Sequence, residues 1–526
     1  MRFGLVSFAL AGAILSGCTQ SSESTTKPQK TDEKPSASQS EEAKSGGTLK
    51  VIVGSNINNI GDQPDIRSVT DFMVSNSAYE TLGRYNEKGE MEPFLAEKWE
   101  SDPSAKAISV VLKKGIQFHD GTEFNAEAVK WNLEHYRDGG RVEAKDIQSI
   151  DLIDNHTVKI NLAQWNNSFI DNLFNFAGMM SPTAYEKNGK EGIQDNPVGT
   201  GPFTFESWDK GVSVKYKKNE NYWQEGKPYL DAVEWTFMED PMTAQASMQT
   251  GDYDVYVNTS AQVAKDLSST LEVVKLESGM GAAGTSLAPD SDDPNSPFND
   301  VRVRQAVGYA IDKKAITDTI FHGFSVPADQ WSVPGAPTYN SNLKGTPFNP
   351  KKAKQLLEEA GYANGFKTKI TFSSNPENMQ MYTAIQGYLK NIGIDAELNP
   401  VDTAKWQEMS AKGGDWEGLI HSTFRVDNDL VFNLNRNMSS KGTHYLKTLF
   451  PEELEKVIEE ASALPTFEEK MKISLELQSK VFDENLVSIP IRVSMNTMVK
   501  APNVQDDGFG KTYLSNWKPE EAWKKK

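Results

Sequence analysis

The sequence predicts an α/β fold in two lobes, and three observations carry that expectation. Strand and helix patterns alternate in the later half: strand at 369–372, helix at 379–390, strand at 394–398, helix at 403–412 and strand at 416–420, with Gly or Asn between them. An earlier βαβ pattern runs through a strand at 233–237, a helix at 243–249 and a strand at 253–257. Between the two, the Asp, Pro, Asn and Ser cluster at 290–297 reads as a boundary. A length of 526 residues allows two to four folding units at roughly 100–200 residues each.

Composition narrows the function classes. Lys plus Arg number 55 against 73 Asp plus Glu, a formal charge of −18, so no broad basic face is available to neutralise nucleic-acid phosphates. Hydrophobic residues make up 37% and mean hydropathy is −0.55, which fits a soluble globular body and excludes a membrane bundle. Cys18 is the single cysteine, so neither a disulfide nor a thiolate metal cage is open to the body.

The N-terminus reads as an address. Arg2 precedes an apolar run at 3–15, too short to cross a bilayer about 30 Å thick as a helix and suited to the h-region of an export signal. The run ends in Leu15, Ser16, Gly17 and Cys18, which resembles the bacterial lipobox. That resemblance implies a signal peptide at 1–17, cleavage before Cys18 and a diacylglyceryl group on its sulfur. Two acyl chains hold a protein at a membrane where one is marginal. The segment 18–46 is then a lipidated Cys and a disordered tether: positions 19–47 lack aromatics and large aliphatics and cannot bury enough surface to fold.

The body begins with a strand at 48–53. Asp300 is placed to cap a helix starting near Val301. A helix at 351–360 has Asn349 as its cap, Pro350 at its first position, Gly361 beyond its end and a core stripe of Ala353, Leu356, Leu357 and Ala360. A late apolar run at 486–493 can carry the chain back to the first lobe. Open α/β sheets bind ligands beyond the carboxyl ends of their strands, which points to Asn258 and Thr259, to Ser373 and Ser374, and to the stretch from His421 to Arg425.

Several stretches resemble family 5 of the extracytoplasmic solute-binding proteins, the oligopeptide, dipeptide and nickel class serving ABC importers. They are Ala96 to Glu100, LKKGIQFHDG at 112–121 with Phe124, Asn125, Ala126 and Val129, PVGTGPF at 197–203, NENYWQEGKPYL at 219–230, GDYD at 251–254, FNDVRVRQA at 298–306, Asp312 with Lys313, and 349–362. The resemblance implies a two-lobed, periplasmic-binding-protein-like fold (type II, cluster C) whose lobes close on a solute. Lobe I would comprise 47–289 plus 495–526, with an extra subdomain at about 75–205, and lobe II 290–494. Two hinge segments would cross near 277–290 and 487–498. It further implies a monomeric, lipid-anchored lipoprotein on the extracytoplasmic face of the cell membrane, with ABC permease subunits as partners and no cofactor. The solute would be an oligopeptide or dipeptide, the alternative being nickel or another metal chelate.

The same resemblance nominates site residues. Peptide-binding relatives use a carboxylate for the ligand's α-amino end, and Asp427 and Asp429 stand in the corresponding stretch, equally placed to cap the following helix. Arg425 and Arg141 could hold a solute carboxylate through the planar guanidinium fork. His421 echoes a histidine of nickel-binding relatives and would meet metal only if the chelate alternative holds. Trp406 offers an apolar wall or ordinary core packing. His119, Asp120 and Gly121 read as a structural turn. The sequence contains no GxxxxGK, HExxH or GxSxG, so catalysis has little to draw on; an exported lipid-anchored hydrolase is the reading from another class.

Overall fold

Thr48–Val53 alternates toward burial at Leu49, Val51, Ile52 and Val53 and forms the central strand of a seven-stranded sheet. This computed structural model describes residues 45–526 apart from 67, 87–88, 276–280, 506–516, 518 and 526. The expected signal peptide, Cys18 and nearly all of the tether lie outside the described residues, as does the start of the first crossing segment. Residues from Ala43 onward form one compact unit.

The central strand pairs in parallel with Ala232–Phe237 on one side and Val255–Val257 on the other. Helix Pro241–Thr250 joins those two neighbours. Asp240 starts it by accepting from the Thr243 N–H, and Gly251 ends it in the left-handed conformation. The expected βαβ unit is therefore present, with the first strand inserted at its centre. Thr497–Lys500 pairs antiparallel with Val255–Val257, so the C-terminal run does return to this sheet.

A second sheet of six strands runs in the order Ser325–Pro327, Ile489–Ser494, Ala283–Pro289, Leu419–Arg425, Phe366–Ser373 and Ile394–Val401. Because Ala283–Pro289 belongs to it, this sheet starts earlier in the chain than residue 290. The chain leaves it between Ser494 and Thr497. Helices Pro350–Glu359 and Pro376–Asn391 cover it, each with an Asn cap and Pro at its start, and their buried faces (Ala353, Leu356, Leu357; Met381, Tyr382, Ile385, Leu389) share one core with the sheet.

The strand expected at 416–420 is displaced: it spans Leu419–Arg425. Its whole length pairs antiparallel with Ala283–Pro289, from Ala283 opposite Arg425 to Pro289 opposite Leu419. That partner holds 421–425 in the ladder where the sequence suggested a loop. A third, four-stranded antiparallel sheet (Ala96–Asp102, Ala107–Leu112, Thr157–Leu162, Ile147–Asp154) lies within the expected subdomain and packs with helix Ala126–Asp138. Ahead of that helix, Asp120 accepts from the Thr122 N–H and Gly121 takes φ 82°, the turn expected of His119–Gly121.

Candidate ligand-binding cavity

A cavity of about 850 Å³ lies at the end of the six-stranded sheet where Ala283 pairs with Arg425, within the roughly 300–1,000 Å³ of small-molecule sites. Phe72 of helix Val69–Ser75, Arg141, Glu143 and Phe176 line one side; Trp406, the strand end at Thr423, Phe424 and Arg425, and Asp427 line the other, continued by Phe432, Asn433 and Arg436 of helix Leu430–Asn437.

Hydrogen bonds within the chain join the subdomain to the helices beyond it. The Trp165 indole N–H donates to the Leu464 carbonyl at 3.0 Å and the Asn167 amide to the Ala461 carbonyl at 2.9 Å, joining the subdomain to helix Glu452–Ala463. The Lys470 ammonium lies 2.6 Å from Asp429 Oδ2 and also donates to Ser168 Oγ. Nearby, the Tyr85 hydroxyl donates to the Asp171 carboxylate at 3.3 Å. Burial pushes the Asp171 carboxyl up to about 7, further than Lys470 can pull it down.

The two candidate aspartates divide their tasks. Asp429 Oδ1 accepts from the Phe432 N–H at 2.9 Å and caps the helix, while its other oxygen is taken by Lys470. Asp427 Oδ1 accepts from the Asp429 N–H at 3.0 Å and from Asn433 Nδ2 at 2.7 Å, which leaves Oδ2 without a hydrogen bond among the described residues, on a residue that lines the cavity. Burial raises its carboxyl to about 6, with Arg425 opposing.

Three guanidinium groups reach the cavity. Arg141 donates twice to Glu143, at 3.1 and 3.3 Å, and once to the Ile66 carbonyl at 3.1 Å, so its fork is already engaged. Arg425 sits 5.7 Å from the centre of the Phe176 ring. Arg436 is held below the ordinary arginine value, chiefly by desolvation; Glu143 opposes this, and Arg425 and Arg141 add to it.

His421, Asn258 and Ser373 are not among the residues lining this cavity. His421 lies in the middle of the strand, 6% exposed, with its ring between Tyr382 (5.7 Å) and Trp406 (5.4 Å). Burial, aided by Arg492, pushes its imidazole down to about 3, so it stays neutral. Trp406 does line the cavity, and its indole N–H donates to the His421 carbonyl at 2.9 Å. Ser373 accepts from Asn378, and the Asn258 N–H donates to the Thr497 carbonyl. Close to both in sequence, the Ala261 N–H donates to the Glu377 carboxylate at 3.2 Å. Among the described residues no group of three or more His, Cys, Asp or Glu could hold a metal. No described helix is long and apolar enough to cross a membrane.

The sequence reading passed over Arg436, Glu143, Phe72 and Phe176. A signal for Arg436 existed: Phe432, Asn433 and Arg436 fall on one face of the helix that Asp429 opens.

Residues 90–445 match the family model of bacterial extracellular solute-binding proteins, family 5. The chain is 31% identical over 434 residues to the glutathione-binding protein GsiB of Escherichia coli O1:K1, covering 80% of this chain and 77% of that one. The solved structure of the periplasmic binding protein DppA from Helicobacter pylori, in complex with the peptide STSA, superposes with a TM-score of 0.74 at 22% identity, covering 92% and 99% of the two chains. NikA from Brucella suis, in complex with Fe(III)-EDTA, superposes with a TM-score of 0.79 at 21% identity, covering 91% and 100%. At these identities the structural matches speak to the fold alone.

Proposed function

The chain belongs to family 5 of the bacterial extracellular solute-binding proteins, and from that premise we propose that its solute is a short peptide. As a member it is the solute-binding component of an ABC importer, a class of carriers and not of enzymes. The observation that carries the peptide reading is the pairing, in one cavity, of the free oxygen of Asp427 with the unengaged guanidinium groups of Arg425 and Arg436. A peptide presents an ammonium at one end and a carboxylate at the other, so one pole meets each. Charge-assisted hydrogen bonds to both ends fix its orientation. The relatives named for glutathione, itself a short peptide, agree with this.

Peptide contacts to both sides of the cavity form only when these come together, so binding favours the closed arrangement, and the permease takes the solute from that state. Cys18, acylated after signal cleavage, would tether the monomer to the outer face of the cytoplasmic membrane. Calorimetric titration with di- and tripeptides, glutathione among them, tests the solute: micromolar or tighter binding that weakens on N-acetylation is expected. A failure of every peptide to bind overturns the reading, and peptide cleavage during incubation overturns its class. Labelled palmitate on the wild type, absent from Cys18→Ser, checks the anchor.

A further inference from the structure

The charges that face the cavity do not cancel. Arg141 is neutralised by the bidentate Glu143, and Asp429 by Lys470. His444, at the cavity wall, is pushed down by burial and by Arg436, so it adds no charge near neutral pH. What remains is one carboxylate, Asp427, against two guanidinium groups, Arg425 and Arg436. Neither arginine has a side-chain hydrogen bond or ion pair among the described residues; Arg425 lies over the face of Phe176, and the Asp427 carboxylate attracts both guanidinium groups without a direct contact. In a chain of net charge −18 this cationic excess is local.

A peptide with a single carboxylate engages Asp427 and one guanidinium and leaves the other enclosed without a counter-charge, an unfavourable state once water is excluded. A second carboxylate removes that imbalance. Arg436 is the group suited to it: it lies one helical turn from Phe432 and Asn433 on the face that bounds the cavity, and it is the more solvent-accessible of the two.

We infer that the site selects peptides carrying a second carboxylate, an acidic side chain or its equivalent, and that Arg436 is the specificity-determining residue. This rests on the peptide reading above and adds the side-chain class. It concerns binding only; no covalent step is involved.

The test compares matched tripeptides that differ only by Glu against Gln, titrated calorimetrically into the wild type and into Arg436→Gln, with melting curves to verify folding. Expected is a preference of about tenfold or more for the Glu peptide, the scale of one charge-assisted contact, shrinking on raising the salt and falling to within about threefold in the variant. Equal affinity of the wild type for the two peptides overturns the inference and leaves the peptide reading standing; no binding of either overturns both. An intact preference in folded Arg436→Gln, lost instead in Arg425→Gln, overturns the assignment to Arg436. Should Arg436→Gln fail to fold, the wild-type Glu-to-Gln ratio and its salt dependence decide.

Discussion

Lys470 and Asp429 form an ion pair with almost no solvent access, 2.6 Å from Nζ to Oδ2 at side-chain exposures of 0% and 5%. The ammonium also bonds Ser168, across from the subdomain, so the pair ties the helix cap at the cavity to the seam between the two sides. Removing one partner of such a pair strands the other charge. Lys470→Met should therefore destabilise the protein by about 3–5 kcal/mol, well beyond an exposed pair such as Lys314–Asp318. Denaturant unfolding of Lys470→Met and of Lys314→Met against wild type checks this; equal midpoints for Lys470→Met and wild type would refute the role of the pair.

The same seam predicts a pH dependence through Asp171. Its carboxyl is raised to about 7 in the fold, against about 3.9 in an unfolded chain. Between those values the folded protein holds a proton that the unfolded chain does not, so stability from this group is full below about 4 and is lost as the pH rises through about 7. Asp171→Asn, which cannot ionise, should show a flatter decline in melting temperature between pH 5 and pH 8 than the wild type. A parallel decline in both proteins contradicts the assignment.

How much of this could be read from the chain depends on how local the cause was. The helix at 350–359 was legible because Asn, Pro and an apolar stripe lie within one segment, and the one at 376–391 from the alternation around it, though three residues of its start were missed. The extent of strand Leu419–Arg425 was not, since residues 421–425 are held by Ala283–Pro289, well over a hundred positions away. That one displacement moved His421 from a loop tip to a strand interior. The division between Asp427 and Asp429 was equally hidden, because it is set by Lys470, forty-one residues later.

Asp427 gives a third expectation, in affinity. Near neutral pH it is ionised and pairs with an ammonium; below about 6 it takes up a proton and the attraction is lost. Affinity for a peptide with a free α-amino group should fall by about tenfold per pH unit below that point. In Asp427→Asn the affinity should be weaker at pH 7.5 and nearly independent of pH. Calorimetry at pH 5, 6 and 7.5 decides it, and an unchanged affinity in the variant at pH 7.5 would rule out contact with the ammonium.

His421 leads to an expectation of little change. Its ring is enclosed by Tyr382 and Trp406 and contributes nothing to the cavity lining. His421→Gln should keep solute affinity within about threefold of wild type, as for positions without direct contact, and Ni²⁺ with free histidine should leave the wild-type melting temperature unchanged. A melting shift that needs both metal and chelator and disappears in the variant would instead favour the chelate alternative.

The last expectation concerns Phe424, which lines the cavity. Gly284 faces Phe424 across the ladder, and a Cβ on Gly284 would come within 2.0 Å of the Phe424 ring. The ring cannot retreat on its other face, where it stacks on Trp331 at 5.2 Å with the planes 5° apart. Gly284→Ala must therefore displace an aromatic pair packed into a close-fitting core, at about 1–3 kcal/mol. Phe424 lines the cavity, so displacing its ring reshapes the wall and solute affinity should fall alongside stability. Adding Phe424→Leu, which removes the clash, should recover most of the melting temperature but not the affinity, because the cavity loses the ring that shapes it. If Gly284→Ala melts with the wild type, the ring does not lie across the glycine, and the link from strand pairing to the shape of the cavity wall is broken.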